Sequence, residues 1–256
     1  SGKHALVCGG SEGIGRAAAI ELAALGADVT LLARRDDALR DAVAALPARA
    51  TQRHGHLVAD VSQATALADA VAALIAKKPV HILVNNTGGP PGGPAHAAAI
   101  DAYLDAFNKH LVANHTLLQA VLPGMRGARW GRIVNVISTS VYEPIPNLGV
   151  SNTIRGAVAS WAKTLSRELG GDGITVNNVL PGYTRTQRLD QILADRSTAT
   201  GKSRDDIANA MLASVPVGRF AEAGEIGGVI AFLCTDAAAY VNGQSLAVDG
   251  GRMQSI

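Results

Sequence analysis

A doubly wound α/β fold, a parallel sheet with helices on both faces, is predicted from three observations. An apolar run, Ala5-Leu6-Val7, breaks into the glycine turn Cys8-Gly9-Gly10-Ser11-Glu12-Gly13-Ile14-Gly15 and then into a helix-like run, Arg16 to Leu25. Strand and helix signals alternate from there onward, and no linker or internal repeat interrupts them. With 256 residues, 48% apolar and 17% charged, the chain can bury one substantial core, so a single domain over residues 1–256 is expected. The net charge of +2 is scattered, which gives no footprint for nucleic acid or an acidic membrane. The two cysteines, Cys8 and Cys234, lie in apolar surroundings and form no metal-ligand cluster. No apolar stretch approaches the roughly 20 residues of a membrane span, and the first strand begins too soon for a signal peptide. A reducing cytoplasm is the expected setting.

The elements follow in order. The glycine turn joins the first strand to the first helix. Asp28 to Leu32 reads as a second strand, Leu39 to Leu46 as a short helix, His56 to Ala59 as a third strand and Leu67 to Ile75 as a helix. Val80 to Val84 is a buried strand stopped by Asn85-Asn86-Thr87-Gly88-Gly89. A long helix over Ala102 to Met125 carries apolar residues at Leu104, Phe107, Leu111, Leu118, Leu122 and Met125. Ile133 to Ile137 is the fifth strand, Ser151 to Leu169 a helix and Ile174 to Leu180 the sixth strand. The polar stretch from Gln187 to Pro216 holds two short helical patterns and is a candidate lid. Glu222 to Leu233 is the last helix, and Ser245 to Val248 the last strand.

Chemistry concentrates where these strands end. Glycines let a backbone approach an anion, and the free N–H groups of a helix start point toward it. Gly9, Gly13 and Gly15, with Ser11, Glu12 and Ile14 between them, are therefore the expected phosphate seat; a glycine turn without ligand is the plain alternative. After the second strand comes Ala33-Arg34-Arg35. An acidic residue there would accept from a ribose 2′-hydroxyl, whereas two arginines favour a 2′-phosphate, so NADP(H) is expected over NAD(H). Alternatively these arginines pair with Asp36 and Asp37. Asp60, followed by Val61, either accepts from an adenine amino group or caps the next helix. Asn86, Thr87 and Gly88 sit where a cofactor crevice belongs.

The glycine turn, Asn85-Asn86-Thr87-Gly88, Ile133-Val134-Asn135 leading into Ser138, Gly173-Ile174-Thr175-Val176-Asn177 leading into Pro181-Gly182, Pro216-Val217-Gly218-Arg219 and Val248-Asp249-Gly250-Gly251 occur in order and at matching spacing. In these motifs the chain resembles the short-chain dehydrogenase/reductase family, and within it the 3-oxoacyl-carrier-protein reductase-like members. The resemblance spans essentially the whole sequence. It implies a Rossmann-type sheet of seven parallel strands, an NAD(P) cofactor held also by Pro181, Gly182, Thr184 and Thr186, a small-molecule substrate and a homodimer or homotetramer. It further implies four functional positions. The serine position is Ser138; the tyrosine position thirteen residues later holds Ser151; the lysine position four beyond that holds Arg155; and the asparagine position on the long helix holds His110, with Asn114 a turn further.

The replacements matter chemically. A serine hydroxyl ionises far less readily than a tyrosine phenol, and an arginine does not release its proton, although it can donate to ribose hydroxyls. His110 and Tyr142 are the candidate replacement donors, against a satisfied helix-face histidine and a packed loop aromatic. For Ser151 a helix N-cap is the plain alternative. The expected activity is an NADP(H)-dependent interconversion of a carbonyl and an alcohol at an altered site, and the alternative is a non-catalytic dinucleotide-binding sensor or assembly partner.

Overall fold

Strand β1, His4–Cys8, is buried at every position rather than alternating, as a strand covered on both faces requires. The computed structural model describes residues 2–49 and 51–255. Beside β1 lie β2 (Asp28–Ala33) and β3 (Gly55–Val58) on one side, and β4 (Ile82–Asn85), β5 (Gly131–Val136), β6 (Ile174–Pro181) and β7 (Ser245–Val248) on the other. The seven strands run in the order β3-β2-β1-β4-β5-β6-β7, and every pairing is parallel. The helices are α1 (Gly13–Ala24), α2 (Asp36–Ala44), α3 (Ala64–Ile75), α4 (Ile100–Phe107), α5 (Ala113–Ala128), α6 (Gly149–Leu169), α7 (Gln187–Thr200), α8 (Arg204–Leu212) and α9 (Ala223–Leu233).

Two apolar cores sandwich the sheet. One joins Ala18, Ala19 and Leu22 of α1 and Leu39 of α2 to Ile226 and Ile230 of α9; the other joins Leu67 and Val71 of α3, Leu117 and Val121 of α5, and Ala162 and Leu165 of α6. Helices α1 and α9 touch through small residues: a Cβ on Gly227 would stand 2.8 Å from the Ala17 carbonyl carbon. Among the described residues no helix is long and apolar enough to cross a membrane.

The long helix expected over Ala102 to Met125 is instead α4, a π-turn at Asn108–Val112, and α5. A π-turn inserts one extra residue into the helical ladder and so rotates the preceding turns relative to those that follow. The consequence is visible in the side chains. Leu118 and Met125 are buried as their spacing suggests, whereas Leu104 and Phe107 are exposed.

A chain of buried amides crosses the sheet near its carboxyl edge. Asn85 Nδ2 donates to Asn135 Oδ1 at 2.8 Å, Asn135 Nδ2 to Asn178 Oδ1 at 2.9 Å, and Asn178 Nδ2 to Ser245 Oγ at 3.0 Å. The register makes this possible, since Asn85, Asn135 and Asn178 lie level on neighbouring strands. Asn135 is fully buried, so Asn135→Leu removes two hydrogen bonds and leaves a donor and an acceptor stranded. Chemical denaturation is expected to show a loss of about 2–4 kcal/mol.

Candidate active site

The chain reverses winding direction between β1 and β4, and ligands of open α/β sheets bind at the carboxyl ends of strands at such a switch point. The glycine turn and Asn86-Thr87-Gly88 meet there. Gly9 and Gly13 have φ of 59° and 56°, in the left-handed region that favours glycine. A Cβ on Gly15 would stand 2.2 Å from Gly9 O, and one on Gly9 would stand 2.6 Å from Asn86 O. Only hydrogens fit between turn, helix and strand end. Asn86 therefore braces the turn, its Nδ2 lying 3.4 Å from Cys8 O.

Helix α1 begins with no side-chain cap; Glu12, at the N-cap, is turned instead toward Arg35, 3.4 Å away. Ser11 lies in the turn, and Ile14 packs back onto the core. Opposite Gly13 stands Thr186, whose Cγ2 would be 3.4 Å from an added Cβ. Thr186 Oγ1 donates to Thr184 O, and Thr184 Oγ1 donates to Gly182 O, which extends the wall from Pro181. The uncapped N–H groups thus open on a cradle of glycines walled by the short Thr186 side chain, and the residues present fit a pyrophosphate.

Next to the cradle, Arg34, Val58, Ala59, Asp60, Gln63 and Ala66 line a cleft of about 400 Å³. The alternative pairing of the arginines with Asp36 is not found. Asp36 is held by Arg40 and His56, each at 2.8 Å, and begins α2 together with Asp37. Among the described residues Arg34 makes no hydrogen bond or ion pair, and it faces the field of Asp60. Asp60 Oδ1 accepts from Ser62 N at 2.9 Å and Ser62 Oγ at 2.8 Å, bonds that hold its carboxyl below the usual range. It therefore shapes the turn into α3, whose N-cap is Gln63, while Val61 packs on the core below.

The reacting-group candidates gather beyond Thr87. Ser138 ends the β5 segment half-buried, and its Oγ accepts from Ser140 N at 3.1 Å. Ser151 and Arg155 lie one turn apart on α6. The helix starts earlier than its periodicity suggested, with Leu148 at the N-cap, so Ser151 is not a cap. Arg155 is 8% exposed; its Nη1 donates to Val136 O at 2.9 Å and its Nη2 to Thr87 O at 3.3 Å. Burial, and then the charge of Arg188, lower its pKa to about 10, so it stays cationic at neutrality.

His110 lies in the π-turn, 2% exposed, with Nδ1 hydrogen-bonded to Thr87 Oγ1 at 2.6 Å. Burial first, then Arg155 and Lys109, push its pKa down to about 3. The candidate role of titrating proton donor is therefore corrected: the imidazole is neutral at physiological pH. Tyr142 is corrected too. It is 54% exposed rather than packed, and its hydroxyl donates toward Ser245 O at 3.5 Å, so the hydroxyl is engaged with backbone and not with His110, Ser151 or Arg155. Asn114 is buried one turn after His110 on α5.

The lowered His110 pKa has a sign in stability. Protonation favours the unfolded chain, where the imidazole titrates near 6.5, so stability is full above pH 6.5 and falls as pH drops from there toward 3. His4, buried against Thr30 and lowered chiefly by burial, adds the same sign. Each pH unit below 6.5 is expected to cost at most about 1.4 kcal/mol per such histidine. Urea unfolding at stepped pH, compared between the wild type and His110→Asn, checks this as a shallower acid loss in the variant.

Similarity to known proteins is consistent along the chain. The family model described as enoyl-(acyl carrier protein) reductase matches residues 9–252. The 3-oxoacyl-[acyl-carrier-protein] reductase FabG of Pseudomonas aeruginosa is 35% identical, covering 99% of this chain and 98% of that protein. L-Sorbose reductase from Gluconobacter frateurii, solved with NADPH and L-sorbose, superposes with a TM-score of 0.93 at 29% identity, covering 100% of this chain and 98% of that one. YwfH, an NADPH-dependent reductase involved in bacilysin biosynthesis, superposes with a TM-score of 0.93 at 26% identity over the whole of both chains. With its seven-stranded Rossmann-type sheet and a match from the first turn to the last strand, the chain belongs to the short-chain dehydrogenase/reductase family of oxidoreductases, of the 3-oxoacyl-carrier-protein reductase type.

Proposed function

We propose that this protein is an NADP(H)-dependent oxidoreductase that interconverts a carbonyl and an alcohol at an atypical site, where Ser151 and Arg155 stand in the family's tyrosine and lysine positions. The observation that carries the reading is a buried guanidinium, Arg155, bonded to Thr87 O and to Val136 O, two residues before Ser138, and next to a cradle that fits a pyrophosphate. The α1 start with Gly9, Gly13 and Gly15 would hold the pyrophosphate. Arg34 and Arg35 would meet the 2′-phosphate, Thr186 would face the pyrophosphate across from Gly13, and Thr184 would line the nicotinamide end. The NADPH named for L-sorbose reductase and YwfH supports this choice of cofactor.

When bound, the reduced nicotinamide supplies a hydride to the carbonyl carbon. The chain's own part is electrostatic. Because Ser138 Oγ already accepts from Ser140 N, its O–H is free to donate to the substrate oxygen. Arg155 offsets the charge that develops there in a site of low dielectric. The Ser151 side chain makes no hydrogen bond to a described residue, which leaves its hydroxyl available to the same oxygen. With His110 neutral and the Tyr142 hydroxyl directed to Ser245 O, water supplies the proton. Segment 187–216 acts as the lid. The apolar stripe of Ile100, Leu104 and Phe107 on α4 supports a homo-oligomer.

Thermal-shift titration tests the seat, because a ligand bound only by the folded state raises stability. NADPH is expected to bind tighter than NADH. Arg34→Ala is expected to cost about tenfold to a hundredfold for NADPH and little for NADH, the worth of one or two charged hydrogen bonds. Loss of nicotinamide absorbance over a panel of ketones tests turnover. One observation favours the second reading, a non-catalytic sensor or assembly partner: the imidazole nearest the cluster is held neutral. Tight NADPH binding with no oxidation on any carbonyl would decide for it.

A further inference from the structure

The buried charge of Arg155 has no counter-ion. Among the described residues no carboxylate pairs with it, and the charge acting on it is another cation, Arg188. Arg188 belongs to the first turn of α7; its Nη2 donates to Pro90 O at 2.9 Å, which draws the lid helix across to the loop after β4. The two guanidinium groups converge. A Cβ placed on Gly89 would stand 3.8 Å from Arg188 Nη2 and 3.9 Å from Arg155 Nη2. Other arginines of the same region are neutralised: Arg185 pairs with Glu222 at 3.0 Å and Arg219 with Glu225 at 2.6 Å. Arg188 is exposed and hydrated, but the buried charge of Arg155 has no acid beside it, so an anion held between the two cations would stabilise it.

We infer that the substrate carries a free carboxylate beside its carbonyl, as in a 2-oxo acid, and that Arg188, with Arg155 behind it, receives that carboxylate at Gly89. Carbonyl and carboxylate on adjacent carbons present their oxygens close together, a shape that planar guanidinium forks match through paired N–H donors. The same anionic chemistry could come from the cofactor's pyrophosphate. The geometry favours the substrate, because the pyrophosphate cradle lies between Gly13 and Thr186, while Arg188 reaches the Gly89-Pro90 loop beyond Thr87. Gly89 is then explained: with no side chain it leaves room for the carboxylate between the two cations.

This inference rests on the carbonyl-reducing reading, and the test separates the two. Matched pairs, pyruvate with methyl pyruvate and benzoylformate with methyl benzoylformate, are titrated by calorimetry into the protein with and without saturating NADP⁺, and then assayed with NADPH. The same is done for Arg188→Met, alongside its NADPH dissociation constant. At least one free acid is expected to bind about tenfold or more tightly than its ester; Arg188→Met is expected to remove that preference, leaving esters and NADPH unchanged. Esters that match their acids, acids that fail to bind, or a variant that weakens both alike overturns the inference. A variant that weakens NADPH instead assigns the arginines to the pyrophosphate. Acid-selective binding without turnover supports the carboxylate site and overturns the reductase reading; turnover with no acid preference does the reverse.

Discussion

Arg155→Met is expected to lower kcat/KM for NADPH-driven carbonyl reduction by about 10²- to 10³-fold, the usual cost of removing one preorganised donor from developing negative charge. The substitution keeps an unbranched side chain of similar length but removes the cation and strands Val136 O and Thr87 O, which Arg155 now satisfies. Arg155→Lys retains the charge and loses the fork, so an intermediate rate is expected. Steady-state kinetics paired with NADPH binding separates the causes. A fall in kcat with an unchanged dissociation constant places Arg155 at the substrate oxygen, and a loss of NADPH affinity places it at the nicotinamide ribose. Unchanged turnover in both variants would sink the electrostatic account.

Gly15→Ala is the second large effect. Its methyl group would overlap Gly9 O at 2.2 Å and crowd Asn86 Nδ2 at 2.8 Å, so the turn itself must move. NADPH affinity is expected to fall about a hundredfold, and stability by about 1–3 kcal/mol, as for other overpacked sites. Gly228→Ala is the control. It lies within α9 with nothing within 4 Å of an added Cβ, and should raise stability by up to about 1 kcal/mol. Titration of NADPH by its fluorescence, with melting curves for both variants, checks the pair.

The sheet was legible because parallel strands buried on both faces leave unbroken apolar runs, and each run ended in residues that stop a strand. β7 lies where its four residues predicted, and the glycine turn opens α1 as its spacing requires. The π-turn was not legible, since one added residue leaves the apolar spacing of a long helix nearly intact while turning Leu104 and Phe107 outward. The amide chain was not legible: Asn85 and Asn135 sit near their strands' ends and Asn178 lies within β6, and only the register brings them level. At the site, the family resemblance assigned Ser138, Ser151 and Arg155 their positions, yet the protonation of the titrating groups depended on burial. His110 resembles a proton donor by type but burial holds its imidazole neutral, and Tyr142 resembles one by position but is exposed, with its hydroxyl toward Ser245 O.

The helices α7 and α8 have an apolar nucleus of their own. Leu189, Ile207 and Met211 pack with Phe220, whose ring meets Tyr183 edge-on at 6.2 Å, apart from the two layers that flank the sheet. Packing of this kind makes these helices one unit, tied back where the Thr184 backbone pairs with Ala221. Substitutions that repack this small annex are therefore expected to leave the sheet and its glycine turn in place, because the two share no core.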